Sequence, residues 1–219
     1  MTIDRPADTR PTRVLLLRHA QTSAPDRFHG AESDVGLGPE GWLQAQEAAE
    51  ALAGLRPGAV YCSAMRRARE TAGPIAAACG LDPIVVPELH ERRMGPLSGS
   101  PIAEVRAEVD RFIDRWGTGD HDAAHEGGES YRAIRDRVVP PFVSLAERHP
   151  GETVIAVLHG VVIRVLISAL IDGFSPADYR RIAIRHVAVN DLRFDGETWR
   201  AEALDLEPTA LLGSASGLP

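Results

Sequence analysis

The sequence predicts an α/β protein, a three-layer α/β/α sandwich around a mostly parallel central sheet. Three observations carry that expectation. Val14-Leu15-Leu16-Leu17 and Val154-Ile155-Ala156-Val157-Leu158 are unbroken apolar runs closed by polar residues, the pattern of strands buried on both faces. Such runs alternate along the chain with longer stretches of helical spacing, as βα units require. The 219 residues show no internal repeat and suffice for one sizeable core.

Residues 1–12 are polar with two prolines and are expected as a disordered arm, neither signal peptide nor membrane span. The domain is expected over 13–206. Ser23 to Gly38 reads as a polar loop, and Pro39 with Glu40 suits the first turn of a helix running through Trp42, Leu43, Ala45, Ala49 and Leu52 to Gly54. Gly36-Leu37-Gly38-Pro39-Glu40-Gly41 fits the dinucleotide fingerprint only on paper, because no strand leads directly into it.

Ala59–Cys62 reads as a strand, followed by a helix from about Met65 to Cys79 that Pro74 should bend or shorten and Gly80 should stop. A strand follows at Ile84–Val86. Pro101 to Trp116 places Ile102, Val105, Val109, Phe112, Ile113 and Trp116 on one helical face. Gly117 to Glu129 reads as a surface loop, and its His121, Asp122, His125 and Glu126 lack the helical frame that would favour a metal site. The helical segment after Ser130 should kink or divide at Pro140-Pro141. Beyond the 153–158 strand and its helix come a short helix at Pro176 to Ile182 and a strand pair, Val187–Phe194 and Thr198–Leu204, joined at Asp195-Gly196-Glu197. Residues 207–219 are expected as a loose tail.

Four stretches carry the chemistry. The first strand ends on Arg18-His19, and the 153–158 strand ends on His159-Gly160. In a parallel sheet both histidines reach the carboxyl edge, where open α/β folds place their sites. Ser63-Ala64-Met65-Arg66-Arg67-Ala68-Arg69-Glu70-Thr71-Ala72 begins an arginine-rich helix, and Leu89-His90-Glu91-Arg92-Arg93-Met94-Gly95-Pro96-Leu97-Ser98-Gly99 carries an acid in a loop. Arginines so placed offer bidentate recognition of phosphate or carboxylate.

In that order the four stretches resemble the histidine phosphatase superfamily, the phosphoglycerate-mutase-like enzymes. Arg18-His19-Ala20-Gln21-Thr22 matches the family's Arg-His-Gly-x-Thr motif, and Ser63 to Ala72 its Ser-x-x-x-Arg-Ala-x-x-Thr-Ala motif, with Arg67 the matched arginine. Glu91 to Gly99 and His159 to Arg164 match its Glu-x-x-x-Gly-x-x-x-Gly and His-Gly-x-x-Ile-Arg motifs. Ala20 replaces the motif's glycine, while Pro25, Met94 and Leu158 stand where members often carry asparagine, tyrosine and serine.

The resemblance implies phosphoryl transfer through a phosphohistidine, with His19 as nucleophile and Arg18 and Arg67 clamping the phosphoryl group. His159 adds a donor at a helix start, and Glu91 serves as the proton donor and acceptor. Thr22 and Arg27 are further substrate-binding candidates; Arg92, Arg93 and Arg164 could touch substrate or sit on the rim. Arginines and histidine supply the positive charge, so neither a metal nor another cofactor is expected.

The acidic balance, −7 at pH 7, argues against nucleic acid as a partner. Two cysteines, Cys62 and Cys79, make no disulfide framework, and no apolar run reaches membrane-spanning length, so a cytoplasmic location is expected. A homodimer is left open. Within the family, the 67 residues between Glu91 and His159 and the Gly127-Gly128-Glu129-Ser130 run favour the phosphatase branch. The expected activity is metal-independent hydrolysis of a small phosphate monoester. A phosphoglycerate-type mutase and a catalytically weak phosphate-sensing module are the alternatives.

Overall fold

Alternate residues of the first apolar run face opposite layers, and this places it at the centre of the molecule. The computed structural model describes residues 10–211. Among them β1 (Thr12–Arg18), β2 (Ala59–Cys62), β3 (Pro83–Val85), β4 (Thr153–Leu158), β5 (Val189–Phe194) and β6 (Trp199–Leu206) form one sheet. Its order is β3-β2-β4-β1-β5-β6. The first four strands are mutually parallel; β5 runs antiparallel to β1, and β6 to β5.

Leu15 and Leu17 of β1 pack with Ile155 and Val157 of β4 against α1 (Pro39–Ala53) and α2 (Arg66–Ala78). Val14 and Leu16 turn the other way, to α3 (Ile102–Gly117), α4 (Tyr131–Glu147) and α5 (Gly160–Leu170). Two apolar layers sandwich the sheet, as the continuous apolar runs require. Where α1 meets the loop after β1, a Cβ on Gly41 would stand 2.0 Å from Gln21 O, so only glycine permits that approach.

Several expectations are corrected. α4 passes through Pro140-Pro141 without dividing. Pro140 is exposed and Pro141 half-buried, so water can serve the carbonyls left without N–H partners, while Tyr131, Ile134, Val138, Phe142 and Leu145 keep one buried face intact. Pro74 likewise does not shorten α2, which reaches Ala78. The short helix at 176–182 is a 3₁₀ turn over Pro176–Asp178. Val187 is not strand: its φ is 51°, and its N–H donates to Arg18 O at 3.0 Å, turning the chain around β1 before β5 begins. Pro208–Leu211 forms a 3₁₀ turn that buries Leu211 in the α1–α2 layer, so the tail is packed as far as Leu211. The rest of the expected tail, 212–219, and residues 1–9 of the expected arm over 1–12 lie outside the described residues. The end of that arm is ordered: Arg10 O accepts from Gly151 N–H at 2.9 Å, and Thr12 is buried at the start of β1.

Candidate active site

β1 and β4 are neighbours whose register pairs Arg18 with Leu158. His19 N–H donates to Leu158 O at 2.9 Å, so the histidines ending the two strands stand side by side with ring centroids 5.2 Å apart. His19 Nδ1 lies 2.8 Å from Ala20 O. A carbonyl only accepts, so Nδ1 carries the ring proton and Nε2 keeps its lone pair. Burial holds the His19 pKa well below its ordinary value, and the charges of Arg67 and Arg18 push the same way. The ring is therefore neutral and nucleophilic. Ala20 keeps out of the left-handed region and its N–H donates to Thr71 Oγ1 at 3.0 Å, so alanine fits here without strain.

His159 is fully buried, and burial followed by the charge of Arg67 depresses its pKa as well. Its Nε2 lies 2.6 Å from Ser63 Oγ. That hydroxyl already accepts from Met65 N–H, so its own hydrogen is available to Nε2, which leaves Nδ1 to carry the His159 ring proton. Nδ1 is buried and has no partner among the described residues.

The same is true of the Nε atoms of Arg18, Arg67 and Arg92. Arg18 donates one bond to Ile184 O at 3.0 Å, and burial pushes its pKa down to about 10, which still leaves it charged at neutral pH. Arg67 is held from behind by Ser33 O at 2.9 Å and His29 O at 3.2 Å. Glu91 accepts from Arg92 N–H at 2.8 Å and from Val161 N–H, in the first turn of α5, at 3.3 Å. Its loop is fastened to α4, where Arg137 donates to Glu88 O and His90 O and pairs with Glu129 at 2.7 Å. Glu129 in turn accepts from Arg93 N–H at 2.8 Å.

A cavity of about 450 Å³ opens over this floor, and Arg18, His19, Thr22, Arg27, Glu91 and His186 line it. Arg67 and His159 lie behind that lining, with no exposed surface. Thr22 is buried; Arg27 sits at the exposed mouth and donates to Gly99 O at 2.6 Å. Of the seven residues singled out in the sequence, five line this cavity and the other two, Arg67 and His159, are buried behind it. The arrangement offers a neutral nucleophile, buried cations and a carboxylate around one volume, the needs of phosphoryl transfer.

The sequence model of the histidine phosphatase superfamily (branch 1) matches residues 14–206. The chain belongs to this superfamily. A metal-independent phosphoserine phosphatase from Arabidopsis thaliana is 31% identical over 90% of this chain and 84% of the relative. A phosphoglycerate mutase-like protein from the same plant is 32% identical over 96% and 94%. The native structure of mycobacterial glucosyl-3-phosphoglycerate phosphatase superposes with a TM-score of 0.78 at 27% identity, covering 90% of this chain and all of that one.

Beyond the superfamily's motifs, this histidine phosphatase contains site features that the sequence reading passed over. His125 is not a surface-loop residue but is buried. Its Nε2–H donates to Met94 O at 2.8 Å, so its Nδ1 is free to accept from Arg92 Nη2 at 3.0 Å. On its other side Arg92 rests over the Trp116 ring, 4.9 Å from the centroid. His121 instead packs on Tyr131 with ring centroids 5.3 Å apart. No group of three or more His, Cys, Asp or Glu among the described residues is arranged to hold a metal ion. Nor is any helix there long and apolar enough to cross a membrane. His186 gave no sequence signal, since it lies in a stretch without periodicity.

Proposed function

We propose that the protein is a metal-independent phosphomonoesterase that hydrolyses a small phosphorylated metabolite through a phosphohistidine at His19. The observation that carries this reading is the His19 ring. Its proton is committed to Ala20 O, and its free Nε2 stands at the cavity floor between buried guanidinium groups. Attack by Nε2 on phosphorus forms the N–P bond as the P–O bond to the alcohol breaks, and Glu91 gives the leaving oxygen its proton. Water then attacks the phosphohistidine, Glu91 takes up a proton, and inorganic phosphate leaves with His19 restored. Arg18, Arg67 and His159 hold the equatorial oxygens throughout. Thr22 and Arg27 contact the substrate nearer the mouth. The phosphatase names of the plant and mycobacterial relatives support hydrolysis of a phosphate ester. Two free cysteines, one of them buried, are compatible with work in the cytoplasm.

A mutase-like relative keeps isomerisation as the second reading. The two are separated by feeding a phosphoglycerate, with and without a bisphosphate primer, and following free phosphate and positional isomer together. Hydrolysis predicts that phosphate dominates in both conditions. Primer-dependent isomer appearing faster than phosphate would replace the phosphatase reading with the mutase one.

A further inference from the structure

The phosphohistidine scheme leaves two imidazoles of the cavity lining unused: His29, whose ring nitrogens are both engaged, by Ser33 Oγ and Ala24 O, and His186. His186 lines the cavity together with Arg18 and His19, and its ring centroid lies 5.9 Å from that of His19, at an interplanar angle of 47°. His159 stands at 5.2 Å and 58°. The nucleophile is thus flanked by two imidazoles at similar separations. We infer that His186 is a third histidine of the catalytic centre, donating its ring N–H to an oxygen of the phosphoryl group while that group is carried by His19. The inference deepens the phosphohistidine reading and rests on it. His186 neither gains nor loses a proton in either half-reaction; its contribution is one oriented dipole.

Three further observations support it. First, neither ring nitrogen of His186 has a hydrogen-bond partner among the described residues, whereas His125, His149 and His159 each bond a neighbouring group. The His186 nitrogens are left for whatever occupies the cavity. Second, the loop that carries the ring is fastened on both sides. Ile184 O accepts from Arg18 Nη1 at 3.0 Å, and Val187 N–H donates to Arg18 O at 3.0 Å. Arg185 is tied to Asp205 by its N–H at 2.8 Å and its Nε at 2.7 Å. Third, Val187 holds a φ of 51°, a conformation that a β-branched residue adopts only where its surroundings enforce it. A strained, triply fastened loop beside the nucleophile is a pre-organised mount for the ring it presents. Burial and the nearby Arg18 charge lower the His186 pKa to about 4, so at neutral pH the ring donates as a neutral imidazole and keeps one acceptor nitrogen.

The test compares His186→Ala, His186→Phe and His186→Asn in the full chain, reading kcat together with the dissociation constants of inorganic phosphate and orthovanadate. Loss of one pre-organised donor to a developing oxyanion should lower kcat about 10²-fold in the Ala and Phe variants. Vanadate, which adopts the five-coordinate geometry of the transfer state, should weaken about 10-fold more than phosphate does. The Asn variant retains an N–H donor and should recover most of both losses. Phe keeps the ring's shape and carries the comparison if Ala fails to fold. Ala or Phe variants within about 3-fold of the parent in kcat and vanadate binding would overturn the inference. So would equal weakening of phosphate and vanadate, which would mark a purely steric role. A parent enzyme that hydrolyses no ester would instead defeat the phosphatase reading, and the phosphate–vanadate comparison would still judge His186.

Discussion

Around the ends of β1 and β4, Arg67 and Arg92 are buried and Arg18 half-buried, and none forms an ion pair among the described residues, whereas several arginines of α3, α4 and the outer turns are exposed and paired. Arg18, Arg67 and Arg92 belong to the first group, each with a buried Nε that no described residue satisfies. Arg180 belongs to the second: it bridges to Asp110 at 3.2 Å and Asp114 at 2.8 Å across the cavity mouth. Arg115 with Asp120 and Arg132 with Asp122 are similar, at 2.5 and 2.8 Å. Exposed pairs of this kind contribute little to stability, because solvent screens them and ordering two long side chains offsets the attraction. An isolated buried charge costs several kcal/mol. Glu91 is the nearby carboxylate that acts on all three guanidinium groups without pairing with any, so an anion in the cavity would complete their neutralisation. Local charge, not overall charge, thus marks the site in a protein that is net acidic.

The largest effect separating the two groups is expected from Arg67→Ala. Removing a fixed guanidinium from the transferring phosphoryl group should lower kcat/KM by about 10³-fold or more. Arg180→Ala, though its side chain also reaches the cavity, should change kcat/KM by less than about 3-fold, because its charge is already committed to two carboxylates. Steady-state kinetics on one ester under one buffer measures both. Comparable losses would erase the distinction between floor and rim.

The next effect concerns the one carboxylate at the floor. Glu91→Gln should slow esters with poor leaving groups about 10²-fold more than nitrophenyl esters, the usual size of one proton-transfer contribution. Equal slowing of both ester types would reduce Glu91 to a brace between Arg92 N–H and Val161 N–H.

A smaller effect appears in stability. Folding depresses the pKa values of His19, His159 and His186, so between the ordinary histidine value near 6.5 and the folded values the unfolded chain binds more protons. Stability should therefore be level above about pH 7 and fall as the pH drops through 6.5 toward 4. Urea midpoints at pH 7.5, 6.5, 5.5 and 4.5 follow this directly. A midpoint that held constant or rose on acidification would show that these rings are not kept neutral.

Much of the floor was legible in the sequence because it sits where regular elements end. Apolar runs of four and five residues announced β1 and β4, and strand ends in a parallel sheet share an edge, which brought His19 and His159 together. Arg67 and Glu91 were legible through the family's spacing alone. The rest depended on contacts between distant loops. Arg92 meets His125 across 33 residues, and His186 reaches His19 only because Val187 bends the chain back onto Arg18. No local periodicity encodes either event. Pro140-Pro141 misled for the opposite reason: local propensity argued for a break, and the buried face of α4 outweighed it.

The central claim is that the floor arginines are kept for an anion and not for the stability of the fold. Arg18 tests it most directly, since its side chain makes one hydrogen bond among the described residues, to Ile184 O. The measurement is the melting temperature of the parent and of Arg18→Met, each with no phosphate and with inorganic phosphate at about 100 times the parent's Kd. The parent should gain about 2.7 kcal/mol from that concentration of phosphate. Arg18→Met should melt no lower than the parent without phosphate, because a buried charge has been removed, and should gain little when phosphate is added. A variant that melts well below the parent without phosphate, and is still stabilised by phosphate as the parent is, would contradict the claim.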